Sequence, residues 1–196
     1  MKFLSCLVCL AISLVWLHAD VGKVAPDFQL ENSHGKQTAL SDYRGKYVIL
    51  EWTNFECPFV RYHYGSQNMQ NLQKEFTGKG VIWLSIISSA PGKQGYLTAV
   101  DAEAKKKAMG SHASELLLDP SGQVGRLYGA QTTPNMFIIN PEGTLIYQGA
   151  IDDRPTPVGQ PFQEAHNYVR EALDQSFLGK PVPNANTKSY GCSVKY

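Results

Sequence analysis

Cys57 has the clearest chemical potential in the sequence because it lies where a predicted strand meets a predicted helix. Residues 47–52 (YVILEW) favour a buried strand, and Pro58, a residue type favoured at the first helical position, follows the cysteine. The N–H groups and dipole at a helix N-terminus stabilise a thiolate, and such cysteines have pKa values of about 3.5–7.5. Thiolates attack disulfides and peroxides. We therefore predict a reactive cysteine; the alternative is a cysteine that packs as a small buried hydrophobe.

Residues 1–19 have the pattern of a secretory signal peptide. They carry one charge, at Lys2, followed by an unbroken apolar run that leads to the small residue Ala19. This run is shorter than the ~20 residues that cross a bilayer comfortably. We expect cleavage after Ala19, export with the periplasm as the expected compartment, and no stable membrane insertion; an uncleaved anchor is the alternative.

Cys192 becomes the only possible thiol partner of Cys57 once this segment is removed, because two of the four cysteines fall within it. Two cysteines in an exported protein favour one disulfide. In one interpretation a mobile tail brings Cys192 onto Cys57 to resolve a redox intermediate, since loop-closure entropy grows only logarithmically with length. In the other, the bond is a permanent staple that contributes about 2–4 kcal/mol. The sequence leaves both open.

Composition narrows the class of protein. Of 196 residues, 43% are hydrophobic and 18% are charged, which is enough apolar material for a folded core. Lys and Arg total 18 against 17 Asp and Glu, a net charge of +1. That balance argues against nucleic acid as a partner, because phosphate binding needs an excess of clustered cations.

The elements around Cys57 alternate between strands and helices, which indicates an α/β sheet covered on both faces. A hairpin is predicted within residues 24–40. The further predicted strands cover residues 47–52, 80–88, 115–118, 135–140 and 144–148, and the predicted helices cover 58–76, 98–110, 123–128 and 161–177. We divide the chain into a domain over residues 20–178 and an extended tail over 179–196 that carries Cys192.

The segment Cys57-Pro58-Phe59-Val60 after a strand, together with Thr132-Thr133-Pro134 before the strand at 135–140, resembles the thioredoxin fold. The chain is most similar to exported redoxins, which are peroxiredoxin-like and related to alkyl hydroperoxide reductase. The resemblance covers nearly the whole mature chain. It implies a thioredoxin-like α/β fold, with a central mixed sheet flanked by helices and an N-terminal hairpin. It also implies that Thr133-Pro134 is a cis peptide that faces Cys57 and shapes the docking surface for a partner's sulfur.

Two departures from the family patterns define what Cys57 can do. Val60 occupies the position of the second thioredoxin cysteine, so the protein cannot cycle as a local Cys-x-x-Cys dithiol. The peroxiredoxin pattern Pro-x-x-x-Thr-x-x-Cys is absent, because residues 53–56 are Thr-Asn-Phe-Glu. Cys57 therefore resembles the first thioredoxin cysteine rather than a peroxidatic one.

Two cationic or metal-binding candidates follow Cys57 on the predicted helix. Arg61, one turn later, is a candidate to stabilise the thiolate, and an exposed helix charge is the alternative. His63 with Cys57 would form a Cys/His metal pair, but a structural zinc site takes four ligands, so we predict no metal.

These observations predict an exported thiol oxidoreductase that exchanges disulfides or reduces peroxides through Cys57, with Cys192 as the resolving thiol. No organic cofactor is expected, because the cysteines carry the electrons. The expected partners are a thioredoxin-like electron donor or a disulfide-containing protein, and a hydroperoxide is a further candidate substrate. The alternative is a non-catalytic interaction module in which a Cys57–Cys192 disulfide is structural.

Overall fold

The computed structural model describes residues 18–155 and 165–196. Within them, nine strands lie at Gln29–Asn32 (β1), Gln37–Ala39 (β2), Val48–Trp52 (β3), Ile82–Ile87 (β4), Glu115–Leu118 (β5), Thr132–Thr133 (β6), Asn135–Ile139 (β7), Leu145–Gly149 (β8) and Cys192–Ser193 (β9). The α-helices are Pro58–Gly65 (α1), Asn68–Gly78 (α2), Ala99–Ala108 (α3), Gln123–Tyr128 (α4) and Tyr168–Phe177 (α5), and Leu40–Tyr43 forms a 3-10 turn.

The main sheet is mixed and places β3 near its centre. Its strand order is β2-β1-β5-β4-β3-β7-β8, with β3 parallel to β4 and antiparallel to β7. All five residues of β3 are buried, because both faces of the strand are covered and its side chains are almost all apolar. The predicted mixed sheet, its flanking helices and the N-terminal hairpin, formed by β1 and β2, are confirmed.

Two apolar clusters lie against this sheet. The first packs α1, α2 and α5 against the strands, through residues such as Val60, Phe76 and Leu173. The second contains Trp52 and Phe137, whose ring centroids are 5.1 Å apart. The end of β3, and with it Cys57, is therefore held by packing on both faces.

Two helix boundaries differ from the sequence prediction. The helix predicted over residues 58–76 is two helices, because Gln67 adopts a left-handed backbone (φ 61) between α1 and α2. The helix predicted over 161–177 begins at Tyr168, where the Asn167 side chain caps it by accepting from the Arg170 N–H at 2.9 Å. Residues 156–164 lie outside the described part of the chain.

The tail is extended, as predicted, and several of its backbone groups pair with the domain. The Thr187 N–H donates to the Gln148 carbonyl at 3.0 Å, and the Val194 N–H donates to Gln131 at 3.0 Å. The Ala90 N–H donates to the Lys195 carbonyl at 2.8 Å. The tail is bound along its length because these backbone groups pair with the domain.

No helix in residues 18–155 or 165–196 has the length and apolar character needed to cross a membrane.

Candidate active site

Cys57 occupies the junction between β3 and α1 that the sequence predicts. It is the N-cap of α1, with an extended backbone (φ −66, ψ 127) and Pro58 at the start of the helix. Its N–H donates to the Asn54 carbonyl at 2.9 Å, and its carbonyl accepts from the Arg61 N–H at 2.9 Å. The side chain is 0% exposed. The thiol therefore lies at the positive end of a helix and is shielded from water.

Thr133 contacts the thiol of Cys57 through its backbone. The sulfur of Cys57 lies 3.1 Å from the Thr133 carbonyl oxygen, to which the protonated thiol donates. The bond between Thr133 and Pro134 is cis, as the resemblance implied. The loop before β7 thus places a backbone oxygen and a threonine hydroxyl against Cys57.

Cys192 reaches the same point from the tail. In the two-stranded β6–β9 pair it lies directly opposite Thr133, and Ser193 lies opposite Thr132. The Thr133 hydroxyl donates to the Cys192 carbonyl at 3.5 Å. Both cysteines are free thiols, and their side chains are in hydrogen-bonding contact. The fold therefore brings Cys57, Thr133 and Cys192 together.

The surroundings of Cys57 favour its thiolate. Burial on its own raises the pKa of the Cys57 thiol. This effect is opposed by hydrogen bonds from the side chains of Cys192 and Thr133 and from the backbones of Val60 and Cys192. The net result is a lowered pKa. A group that donates hydrogen bonds to a charged form favours that form. Of the two cysteines, Cys57 is thus the one whose surroundings favour the ionised form.

The same contact has the opposite effect on Cys192. Burial and the neighbouring Cys57 sulfur raise the pKa of Cys192 to about 11. The pKa values of the two cysteines are therefore shifted in opposite directions, downward for Cys57 and upward for Cys192. A low-pKa thiol beside a protonated thiol is the arrangement in which a second cysteine can resolve an intermediate formed on the first.

The two candidate residues that follow Cys57 on α1, Arg61 and His63, differ in their exposure. Arg61 is exposed, and the hydrogen bonds that lower the pKa of Cys57 come from other residues, so its role in stabilising the thiolate stays a prediction. His63 is buried, and both of its ring nitrogens are engaged, Nδ1 by Asn68 at 2.9 Å and Nε2 by Tyr190 at 3.1 Å. Among the described residues, no group of three or more His, Cys, Asp and Glu side chains could hold a metal ion.

Sequence reasoning missed Tyr190, a residue of the tail, and its hydrogen bond to Asp152 beside the cysteines. The Tyr190 hydroxyl donates to Asp152 Oδ1 at 2.5 Å. The spacing of Tyr190 and Cys192 could have indicated the role of Tyr190. Residues i and i+2 of an extended segment share a face, and Tyr190 lies two residues before Cys192, so both side chains are expected to face the domain.

Comparison with known proteins places these residues in a family. The AhpC/TSA family matches residues 21–148, which contain Cys57 and Pro134 but end before the tail. The thiol-disulfide oxidoreductase ResA of Bacillus subtilis (strain 168) is 30% identical over 64% of this chain and 64% of its own length, just under two thirds. Peroxiredoxin-1 of Gekko japonicus is 28% identical over 78% of this chain and 79% of its own. Both relatives support the thiol redox activity expected from the sequence.

Solved structures agree on the architecture. An uncharacterized conserved protein from Geobacillus kaustophilus superposes with a TM-score of 0.79 at 28% identity, covering 90% of this chain and 92% of that one. An exposed lipoprotein thioredoxin from Streptococcus pneumoniae superposes with a TM-score of 0.51 at 24% identity, covering 79% and 99%. The fold is thioredoxin-like, and the chain belongs to the AhpC/TSA family.

Proposed function

We propose that the protein is an exported thiol oxidoreductase in which Cys57 is the nucleophile and Cys192 the resolving thiol. One observation carries this proposal: the tail pairs Cys192 with Thr133 across β6–β9, where its side chain contacts the Cys57 thiol. The opposite pKa shifts of the two cysteines support the division of roles. Family membership supports the chemistry.

The reaction runs in two steps at Cys57. Its thiolate attacks a substrate disulfide to form a mixed disulfide, or attacks a hydroperoxide to form a sulfenic acid with release of water or an alcohol. Cys192 then attacks the Cys57 sulfur, which forms the intramolecular disulfide and releases the second thiol or water. A thioredoxin-like donor supplies two electrons to restore both thiols.

Cys192 takes the place of the missing local cysteine. Val60, at the position of the second thioredoxin cysteine, is 0% exposed and belongs to the core beside α1. Cys192 instead comes from the tail and lies beside the loop that contains Thr133 and Pro134. In this proposal the loop shapes the docking surface for a partner's sulfur.

A structural role for the disulfide is the second candidate, and the burial of Cys57 favours it. A sulfur that is 0% exposed is poorly accessible to a partner protein while the tail is bound. In that case the protein is an interaction module, and the bond stabilises the fold by about 2–4 kcal/mol.

A redox titration separates the two candidates. The mature protein is equilibrated in glutathione buffers of defined potential, alkylated and analysed by mass spectrometry. A potential between about −120 and −270 mV, as in known thiol oxidoreductases, supports a working pair, whereas a value below about −300 mV identifies a staple. We expect Cys57→Ser to abolish turnover and Cys192→Ser to trap a mixed disulfide or sulfenic acid. Equal stability losses without a trapped species would instead support the interaction module.

Export rests on the pattern of residues 1–19. Residues 1–17 lie outside the described part of the chain; Ala19 is buried, and its N–H donates to the Leu127 carbonyl at 3.3 Å. We propose cleavage after Ala19 and release into the periplasm. Mass spectrometry of the exported protein should find Asp20 at the N-terminus, and an intact Met1 would contradict cleavage.

A further inference from the structure

Tyr190 fastens the tail to the domain next to the two cysteines. Its hydroxyl donates to Asp152 Oδ1 at 2.5 Å and lies 3.1 Å from Nε2 of His63. Its ring lies 6.0 Å from the Phe59 ring and 6.2 Å from the His63 ring, measured between centroids. Tyr190 is therefore held both by hydrogen bonds and by aromatic packing against α1.

The donor and the acceptor of each hydrogen bond around Tyr190 can be assigned. The Asn68 amide nitrogen lies 2.9 Å from Nδ1 of His63 and can only donate, so Nδ1 accepts. The imidazole proton is then on Nε2 and is donated to the Tyr190 oxygen, which leaves the Tyr190 O–H for Asp152. We call these four residues the Tyr190 network.

The two residues that bind the Tyr190 hydroxyl are buried, and this makes the attachment rigid. His63 is 1% exposed and Asp152 is 3% exposed. A buried polar network in which each member has a partner fixes one geometry, because breaking any bond leaves an unpaired group in a region of low dielectric constant. The tail is thus held in one position at Tyr190.

This attachment joins the tail to the helix that carries the nucleophile. His63 belongs to α1, and Cys57 is the N-cap of the same helix. One residue after Tyr190, Gly191 (φ 133) passes so close to Thr133 that an added Cβ would meet the Thr133 carbonyl oxygen. The next residue is Cys192. The path from α1 through Tyr190 to Cys192 is therefore short and closely packed.

We propose that Tyr190, held by His63 and Asp152, is a positioning residue that keeps the Cys192 thiol beside Cys57. The inference rests on the proposed function, because it concerns the reaction between these two cysteines. Tyr190 does not touch the reacting sulfurs; it acts by raising the effective concentration of Cys192 at Cys57. A chain whose tail is released would still react at Cys57 but would close the disulfide less favourably.

Glutathione disulfide is a suitable probe because its electron balance is simple. The Cys57 thiolate attacks it, forms a mixed disulfide and releases one glutathione thiolate. Cys192 loses its proton to the buffer and attacks the Cys57 sulfur, which closes the protein disulfide and releases the second glutathione thiolate. Two protein thiols are oxidised and one glutathione disulfide is reduced, so the equilibrium constant measures how well Cys192 is placed.

The test compares Tyr190→Phe with the wild-type mature protein. The variant keeps the ring and loses the hydroxyl and both of its hydrogen bonds. We expect the equilibrium constant for disulfide formation to fall about tenfold, which corresponds to about 1.4 kcal/mol and is the size expected for lost hydrogen bonds. Closure from the mixed disulfide should slow as well. Asp152→Asn keeps an oxygen acceptor for Tyr190 and should stay close to wild type.

Tyr64→Phe is the matched control. Its hydroxyl is also buried, but it contacts Gln73 at 3.0 Å and Ser111 at 3.4 Å instead of the tail. We expect it to lower stability without changing the equilibrium constant. A wild-type constant in Tyr190→Phe, or an equal fall in Tyr64→Phe, would overturn the positioning role while leaving the proposed function intact. If the wild type formed no Cys57–Cys192 disulfide, both proposals would be wrong.

Discussion

Acid is expected to weaken the fold through the imidazole of His63. Burial lowers the pKa of His63 from its usual 6.5 to about 4. A group whose pKa is lower in the folded than in the unfolded state contributes stability above the unfolded pKa, and this stability is lost as the pH falls through the folded pKa. Applied to these two values, linkage predicts a loss of about 3 kcal/mol in the free energy of unfolding between pH 7 and pH 4.

The assay is urea unfolding of the wild type and His63→Gln at a series of pH values from 7 to 4. The variant starts less stable because it alters the Tyr190 network, but its stability should fall less with acid. The difference between the two proteins should therefore shrink by about 3 kcal/mol over this range. Buried acids such as Glu51 are present in both proteins, so most of their contribution cancels.

His112→Gln is the control, because His112 is an exposed histidine whose imidazole contacts water in the folded protein. The difference in stability between this variant and the wild type should not shrink by about 3 kcal/mol over the same range. Parallel curves for the wild type and His63→Gln would refute the reasoning, since they would mean that His63 takes up its proton as readily in the folded as in the unfolded chain.

Two further substitutions test the surroundings of the site. Burial raises the pKa of the Glu51 carboxyl in β3. Stability linked to this carboxyl is therefore lost as the pH rises from the unfolded pKa of Glu51 through its folded pKa. Glu51→Gln should remove this loss of stability in urea unfolding at a series of pH values, and an unchanged dependence of stability on pH would contradict the argument. Gly191→Ala should displace the tail from Thr133 and lower the yield of the disulfide between the two cysteines, measured by alkylation. Gly179→Ala, which also has a positive φ (67) but meets no atom within 4 Å, is its control, and equal losses in both would refute the steric argument.

The position of Cys57 could be predicted from the sequence because its determinants are local. A buried strand, a cysteine and Pro58 follow one another, and each has a strong preference for its place. The cis peptide at Pro134 could be anticipated only from the family resemblance, since neither periodicity nor composition distinguishes it from other proline bonds.

The meeting of Cys192 with Cys57 could be predicted from the cysteine count, but the other contacts that bind the tail could not, because they join distant residues without a local signal. The strand at Cys192 has two residues and no alternating pattern, and its register is fixed by Thr133, far away in the sequence. The hydrogen bonds from Tyr190 to His63 and Asp152 are likewise single long-range pairs. Gly65-Ser66 in the sequence favours a kink close to the break between α1 and α2, but the left-handed backbone of Gln67, which divides the stretch into these two helices, has no comparable local signal.

The β6–β9 pair also sets the order in which the site is completed during biosynthesis. Every strand of the seven-stranded sheet precedes Cys192 in the chain. Since synthesis proceeds from the N-terminus and domains fold as units, Cys57 exists for a time without its neighbouring thiol. During that interval the newly made chain presents a single cysteine at the helix terminus, and its nearest reaction partners are thiols and disulfides of other molecules. Arrival of Cys192 converts an intermolecular reaction into an intramolecular one.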